Sequence, residues 1–178
     1  MKKFTIFLLV VALVLGVSGM AGAAVVTLED TSQTTTFTAT VAEQADVTVP
    51  GTVTFTVSDV TSSTAGTGAV SVTSIVLADT KTLKISLQGS AAAFTPPAVG
   101  GTTWDVGDVS WAAGTWDSGT GAAGTLLSTG YTEVSTSAAN PVSQGSTITF
   151  TLAAKATASP AVKAGDHTLT ATWKFESL

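Results

Sequence analysis

The sequence has no cysteine and no arginine, a single histidine, and only 11% charged residues in 178 positions. Without cysteine there can be no disulfide framework, thiolate zinc site, iron–sulfur cluster or cysteine nucleophile. One histidine, His167, cannot build a multi-histidine metal centre. The seven basic residues are all Lys and face 12 acidic ones, for a net charge of −5. With no guanidinium fork and an acidic balance, the chain has no electrostatic footprint for nucleic acid or clustered phosphate. What is abundant instead is Thr, Ser, Ala, Val and Gly, the vocabulary of strands and turns.

The first residues have the three-part layout of a secretory leader. Lys2 and Lys3 precede an apolar run from Phe4 to Val17, followed by the small residues Ala21, Gly22 and Ala23. Cleavage is expected after Ala23, with Ala24 the neighbouring alternative, so residues 1–23 read as a signal peptide. The rival is an uncleaved anchor, because the apolar stretch reaches about 20 residues if extended to Val26. Small residues, not a charged stop-transfer flank, end the run and favour cleavage. Loss of the leader would leave 5 Lys against 12 acids, a net charge of −7. No Cys follows the run for lipid attachment and no second hydrophobic segment exists, so no membrane span is expected after cleavage. The expected location is secreted, extracellular or at the cell surface.

Beyond the leader, Thr alternates with Val, Ile, Leu, Phe or Trp, the period of half-buried strands. Three stretches carry it most plainly. Val53, Phe55 and Val57 oppose Thr52, Thr54 and Thr56; Ile148, Phe150 and Leu152 oppose Thr147, Thr149 and Thr151; Leu169, Ala171, Trp173 and Phe175 oppose Thr168, Thr170, Thr172 and Lys174. Further strands are expected at Thr34–Val41, Asp46–Val49, Val70–Leu77, Leu83–Gln88, Val109–Trp111 and Tyr131–Ser135. Turn-rich segments are expected at Thr61–Gly68, Ala78–Thr82, Thr95–Gly101, Asp117–Gly124, Ala138–Gly145 and Ser159–Gly165. Asp79-Thr80-Lys81 should join Val70–Leu77 to Leu83–Gln88 as a hairpin. The fold class is therefore all-β: a single antiparallel β-sandwich, immunoglobulin-like or jelly-roll-like, of about 8–10 strands. Residues 45–178 would form it, preceded by an N-terminal extension or first strand at 24–44.

Three groups of residues could carry chemistry. Trp104, Trp111 and Trp116 lie among Asp105, Asp108 and Asp117 and would suit a carbohydrate platform, on which apolar sugar faces stack and hydroxyls bond to carboxylates. The same rings would equally fill the core of a domain with few other large side chains. The three Asp could supply oxygens to Ca²⁺, but they lack the alternating spacing of a calcium loop; no other cofactor is implied. Asp166-His167 with a distant Ser has no nucleophile elbow, and paired carboxylates such as Asp105 and Asp117 are ordinary turn residues, so no enzyme is expected. A Lys–Asn or Lys–Asp isopeptide cross-link would need a Lys beside Asn140 or an Asp and a further acid, and nothing local singles out such a trio.

The run Ala164-Gly165-Asp166-His167-Thr168-Leu169-Thr170-Ala171-Thr172-Trp173 resembles the final-strand motif of secreted bacterial sandwich subunits of the fimbrial and spore-coat type. Trp173-Lys174-Phe175 is similar to the Trp-x-Leu of WxL cell-surface domains, with Phe175 standing where they have Leu. The likeness to fibre subunits implies assembly by strand donation, in which one subunit's N-terminal extension completes the next subunit's sheet. Phe37, Ala39 and Val41 alternate with Thr36, Thr38 and Thr40 as such a strand requires. They would serve equally as the first strand of the chain's own sandwich. The expected function is a structural subunit of an extracellular filament, pilus or coat, with other copies of the chain as partner. A carbohydrate-binding or adhesive module with polysaccharide as partner is the alternative.

Overall fold

The computed structural model describes residues 35–155 and 162–178, so the leader expected at residues 1–23 lies outside the described chain. The chain divides into two units, Met1–Ala39 and Thr40–Leu178. Of the first, only residues 35–39 are described, without regular structure; all the strands belong to the second. They are β1 (Gln44–Thr48), β2 (Thr64–Val76), β3 (Leu83–Gly89), β4 (Val109–Trp111), β5 (Thr120–Gly121), β6 (Gly124–Thr125), β7 (Thr132–Thr136), β8 (Gln144–Leu152) and β9 (Ala171–Ser177). A single 3₁₀ turn at Val106–Asp108 leads into β4, and no described helix is long and apolar enough to cross a membrane.

The strands form a β-sandwich-like, all-β architecture of two antiparallel sheets. One has the order β1-β2-β8-β4-β6 and the other β5-β7-β3-β9. Alternation sets which side chains face inward. Val70 and Val72 of β2, Ile148, Phe150 and Leu152 of β8, and Val109 and Trp111 of β4 meet Leu83, Ile85 and Leu87 of β3 and Val134 of β7 in one core. Full burial of each such side chain is worth roughly 1.5–3 kcal/mol. One polar strut crosses between the layers, where the buried Gln144 Nε2 donates to Ser135 Oγ at 3.0 Å. The outer faces differ in charge. The β3 sheet carries the ion pairs Lys84–Glu133 and Lys174–Glu176, whereas the outward residues of β2 and β8 are uncharged: Ala, Thr, Ser and Gly, with Val76 at the end of β2.

Several expected elements come out differently. Thr52–Val57 is extended but belongs to no ladder, and residues 35–43 form no strand. The turn expected at Thr61–Gly68 is instead half strand, because β2 begins at Thr64. Its Gly66 and Gly68 are there for a packing reason, described below. β2 and β3 are not a hairpin: they lie in different sheets, and the Ala78–Thr82 turn carries the chain from one layer to the other, with Thr80 at φ 68°. The Asp117–Gly124 turn contains β5 and the start of β6, two-residue edge strands too short to leave a periodic signal.

Candidate functional site

The site is built where the chain leaves β1. Antiparallel β1 pairs with the second half of β2, Thr48 opposite Ser71. Pro50 has no N–H to continue that ladder, and Pro50-Gly51 takes the chain off the sheet edge. The next residues lie across the inner face of β2. A Cβ on Gly66 would sit 2.7 Å from the Thr54 carbonyl oxygen, and one on Gly68 would sit 2.9 Å from Pro50 Cγ. Two glycines in β2 are thus the space into which the crossing chain fits. Val53, Phe55 and Val57 turn toward the core but are only half-buried, while Thr52, Thr54 and Thr56 face solvent. Among the described residues, no backbone hydrogen bond joins 52–57 to a neighbouring strand. The segment ends at Val60, whose carbonyl accepts from Lys155 N–H at 2.7 Å. Asp59 then reverses the chain by accepting from Thr61 N–H, Thr61 Oγ1 and Ser62 Oγ, bonds that hold its carboxyl below the ordinary carboxylate range.

The opposite wall is the chain leading into β9, residues 162–170, and the start of that strand. One edge of β9 pairs with β3 over its whole length, Ala171 opposite Gly89 to Ser177 opposite Leu83. Among the described residues, its other edge pairs with nothing. Its inward side chains, Trp173 and Phe175, are half-buried. The approach to β9 is firmly held: Thr168 and Thr95 exchange two backbone bonds of 2.8 and 3.0 Å, and Ser90 N–H donates to the Thr170 carbonyl at 2.8 Å. His167 is edge-on to Trp104 at 5.2 Å, with Nδ1 2.8 Å from Thr103 Oγ1 and Nε2 3.0 Å from the Lys163 carbonyl. Both ring nitrogens are thereby engaged, which fixes the orientation of the imidazole beside Trp104.

Between the walls runs a groove of about 820 Å³, lined by residues 50–57 on one side and 162–171 with Trp173 on the other, with Leu87, Phe150 and Leu152 of the core in its lining. Among the described residues, Lys163 and Asp166 are the ones with charged side chains in that lining. The strands leading to the two walls are tied to one turn at the same end of the molecule. Glu43 Oε1 accepts from Ala78 N–H at 2.8 Å and pairs with Lys81 at 3.5 Å, while Leu178 and Thr82 exchange backbone bonds of 3.0 and 3.1 Å. The Ala78 N–H first, then the Ser177 hydroxyl of β9 and Lys81, lower the Glu43 pKa.

The residues singled out from sequence are placed as follows. Trp104, Trp111 and Trp116 are buried core residues; the indole N–H of Trp104 donates to the Ala153 carbonyl and that of Trp111 to the Ala122 carbonyl, both at 3.0 Å. The exposed stacking platform expected of them is not formed. Phe37 and Val41 are 91% and 71% exposed, and Ala39 lies between them in the same irregular stretch. Asp105 and Asp108 do not converge on Asp117; instead they hold Lys155, at 3.3 and 3.1 Å. Among the described residues no group of three or more His, Asp or Glu could hold a metal. Lys155 with its two Asp is a trio of the kind an isopeptide bond needs, which the local sequence did not single out. Partial burial works against its charge, but the hydrogen bonds that Lys155 Nζ donates to Asp108 and Asp105 outweigh it and raise its pKa.

Sequence reasoning missed the groove itself. Two signals for it were present: the Pro50-Gly51 pair just before an alternating run, and alternate glycines at 66 and 68. Comparison with known proteins gives no match, whether with family models, curated proteins or solved structures.

Proposed function

We propose that this chain is an exported structural subunit of an extracellular filament, pilus or coat, built on an immunoglobulin-like or jelly-roll-like sandwich and assembled by β-strand addition. The observation that supports this reading is that, among the described residues, the outer edge of β9 has no strand partner and lies beside an apolar groove whose far wall, 52–57, belongs to no ladder. An unpaired edge is a template for another strand, since its N–H and C=O groups bond to any extended chain laid along it. Half-buried Val53, Phe55 and Trp173 line the groove, so an added strand would gain backbone bonds and apolar contact together. The role is mechanical, not enzymatic. The buried tryptophans remove the support for a polysaccharide platform.

The test is assembly of the purified chain without its leader. Concentration-dependent oligomers that withstand high salt, visible as filaments or ordered arrays by negative-stain microscopy, are expected. A protein that sediments as a monomer up to millimolar concentration would overturn the reading.

A further inference from the structure

Resting on the strand-addition reading, we infer that the strand added at β9 is β9 of a second copy, laid antiparallel across a two-fold axis that passes through Phe175. The bonding phase of β9 limits how this can happen. Leu178 and Thr82 exchange backbone bonds and Ser90 N–H donates to the Thr170 carbonyl, in the register that sets Lys84 opposite Glu176 and Ser86 opposite Lys174. Antiparallel bonding alternates along a strand, so Thr172, Lys174 and Glu176 bond to β3, while Ala171, Trp173, Phe175 and Ser177 direct their N–H and C=O groups to the other edge. Among the described residues no strand takes those groups up. A parallel pair of identical edges, related by a two-fold along the strand, would set the inner face of one copy beside the outer face of the other. The antiparallel pair keeps both inner faces, with their half-buried Trp173 and Phe175, on one side.

Charge then selects the register. Lys174 and Glu176 stand 2.6 Å apart on the outer face. Because their backbones bond to β3, they fall in the non-bonded rows of the new pair, where opposed Cα atoms are about 4.5 Å apart and side chains are closest. Centred on Lys174, the pair would oppose Lys174 to itself; centred on Glu176, it would oppose Glu176 to itself. Like charges directly opposite destabilise a ladder. Centred on Trp173, it meets the two charges only with Thr172 and Thr170. Centred on Phe175, it opposes Lys174 to Glu176 on both sides of the axis, so the edge complements itself as an isologous contact must. In that register Phe175 exchanges backbone bonds with its counterpart and Trp173 exchanges them with Ser177, while the two Phe175 rings meet on the inner face. The joined layer reads β5-β7-β3-β9-β9-β3-β7-β5. This contact closes on itself, so the dimer is the building block and longer assemblies grow through other surfaces.

The test uses the chain without its leader, substituted at outer-face positions that the core does not need. At low salt, Lys174→Glu and Glu176→Lys should each weaken dimer formation at least tenfold by analytical ultracentrifugation, since like charges then face each other twice. Mixing the two variants should restore association as a heterodimer, and both substitutions in one chain should restore the homodimer. The absence of native cysteine lets the register be read separately. Differently tagged Lys174→Cys and Glu176→Cys chains, mixed and oxidised, should give a disulfide-linked dimer carrying both tags. Lys174→Cys alone should not link, because its counterpart lies on the diagonal, roughly 7–8 Å away. If a charge variant departs from wild type in circular dichroism, the cysteine pair decides alone. Single-charge variants that associate as well as wild type, a doubly exchanged chain that stays apart, or efficient self-linking of Lys174→Cys would overturn the inference and leave strand addition standing. Wild-type protein that stays monomeric up to millimolar concentration would sink the strand-addition reading itself.

Discussion

The two flanks of the sandwich are finished in opposite ways. On the β4–β6 side, the sheet edges are two-residue strands sealed by indoles: a Cβ on Gly124 would lie 2.5 Å from Trp111 Cζ2, and one on Gly121 would lie 2.7 Å from Trp116 Nε1. There the rings occupy the volume that side chains on β5 and β6 would need, and Ala122 N–H still reaches the Val134 carbonyl at 2.8 Å to close the backbone. On the β9 side, among the described residues, a seven-residue strand has one edge without a strand partner, and 52–57 packs on the core without a backbone ladder. The difference teaches that a small sandwich can close its core with large aromatic side chains on one flank and leave the other dependent on additional backbone. Only the second solution leaves a place for another chain.

The contrast can be broken or sharpened by substitution. The largest effect is expected on the sealed flank: Trp111→Ala should cost about 3–5 kcal/mol in urea denaturation, the range for removing a buried aromatic. A loss under about 1 kcal/mol would mean that this flank is not sealed by the ring. Next comes Gly66→Val, which places a branched side chain against the Thr54 carbonyl and should cost about 1–3 kcal/mol through overpacking. No change in the unfolding midpoint would show that 52–57 does not rest there. Phe55→Ala, on the open flank, should cost the monomer only about 1–2 kcal/mol because the ring is half-buried, and measurably more in the assembled state. Equal losses in monomer and assembly would argue that the groove stays empty.

The smallest effect is acid sensitivity. Glu43 and Asp59 have lowered pKa values in the folded chain, so the unfolded chain binds more protons at low pH and stability rises with pH across their titration. Their contribution is present above their ordinary values of 4.5 and 3.8 and is lost as pH falls through the lower folded values. Denaturation midpoints should therefore be flat at pH 5–7 and decline below about 4.5, and Glu43→Gln should shrink that decline. An unchanged pH profile in Glu43→Gln would show that the bond to Ala78 contributes nothing to stability.

Much of the layered fold was legible from alternation alone. β3, β4, β7 and β8 lie close to where the Thr/apolar period put them, because each is hydrogen-bonded on both sides and half-buried. The same period misled at Thr52–Val57, since alternation reports an extended chain lying on a core and says nothing of whether its backbone is paired. The first half of β2 was hidden for the converse reason: Gly66 and Gly68 read as turn residues, yet they are strand positions whose side-chain volume is taken by Pro50, Val53 and Phe55. The groove was illegible because its two walls, 50–57 and 162–173, are segments more than a hundred positions apart. The tryptophans were assignable in principle by size, as the bulkiest residues in a chain poor in bulk.

The strand pairings also bear on how quickly the molecule can be made. β2 begins opposite the end of β8, Thr64 with Leu152, and β3 waits for β9, Leu83 with Ser177. Each ladder joins chain ends that leave the ribosome far apart in time, and loop closure on that scale places acquisition of structure in the millisecond-to-second range, not microseconds. Until the last seven-residue strand docks, the bare margin of β3 stays open to wrong partners, so the nascent chain is most exposed to aggregation before its C-terminus is made.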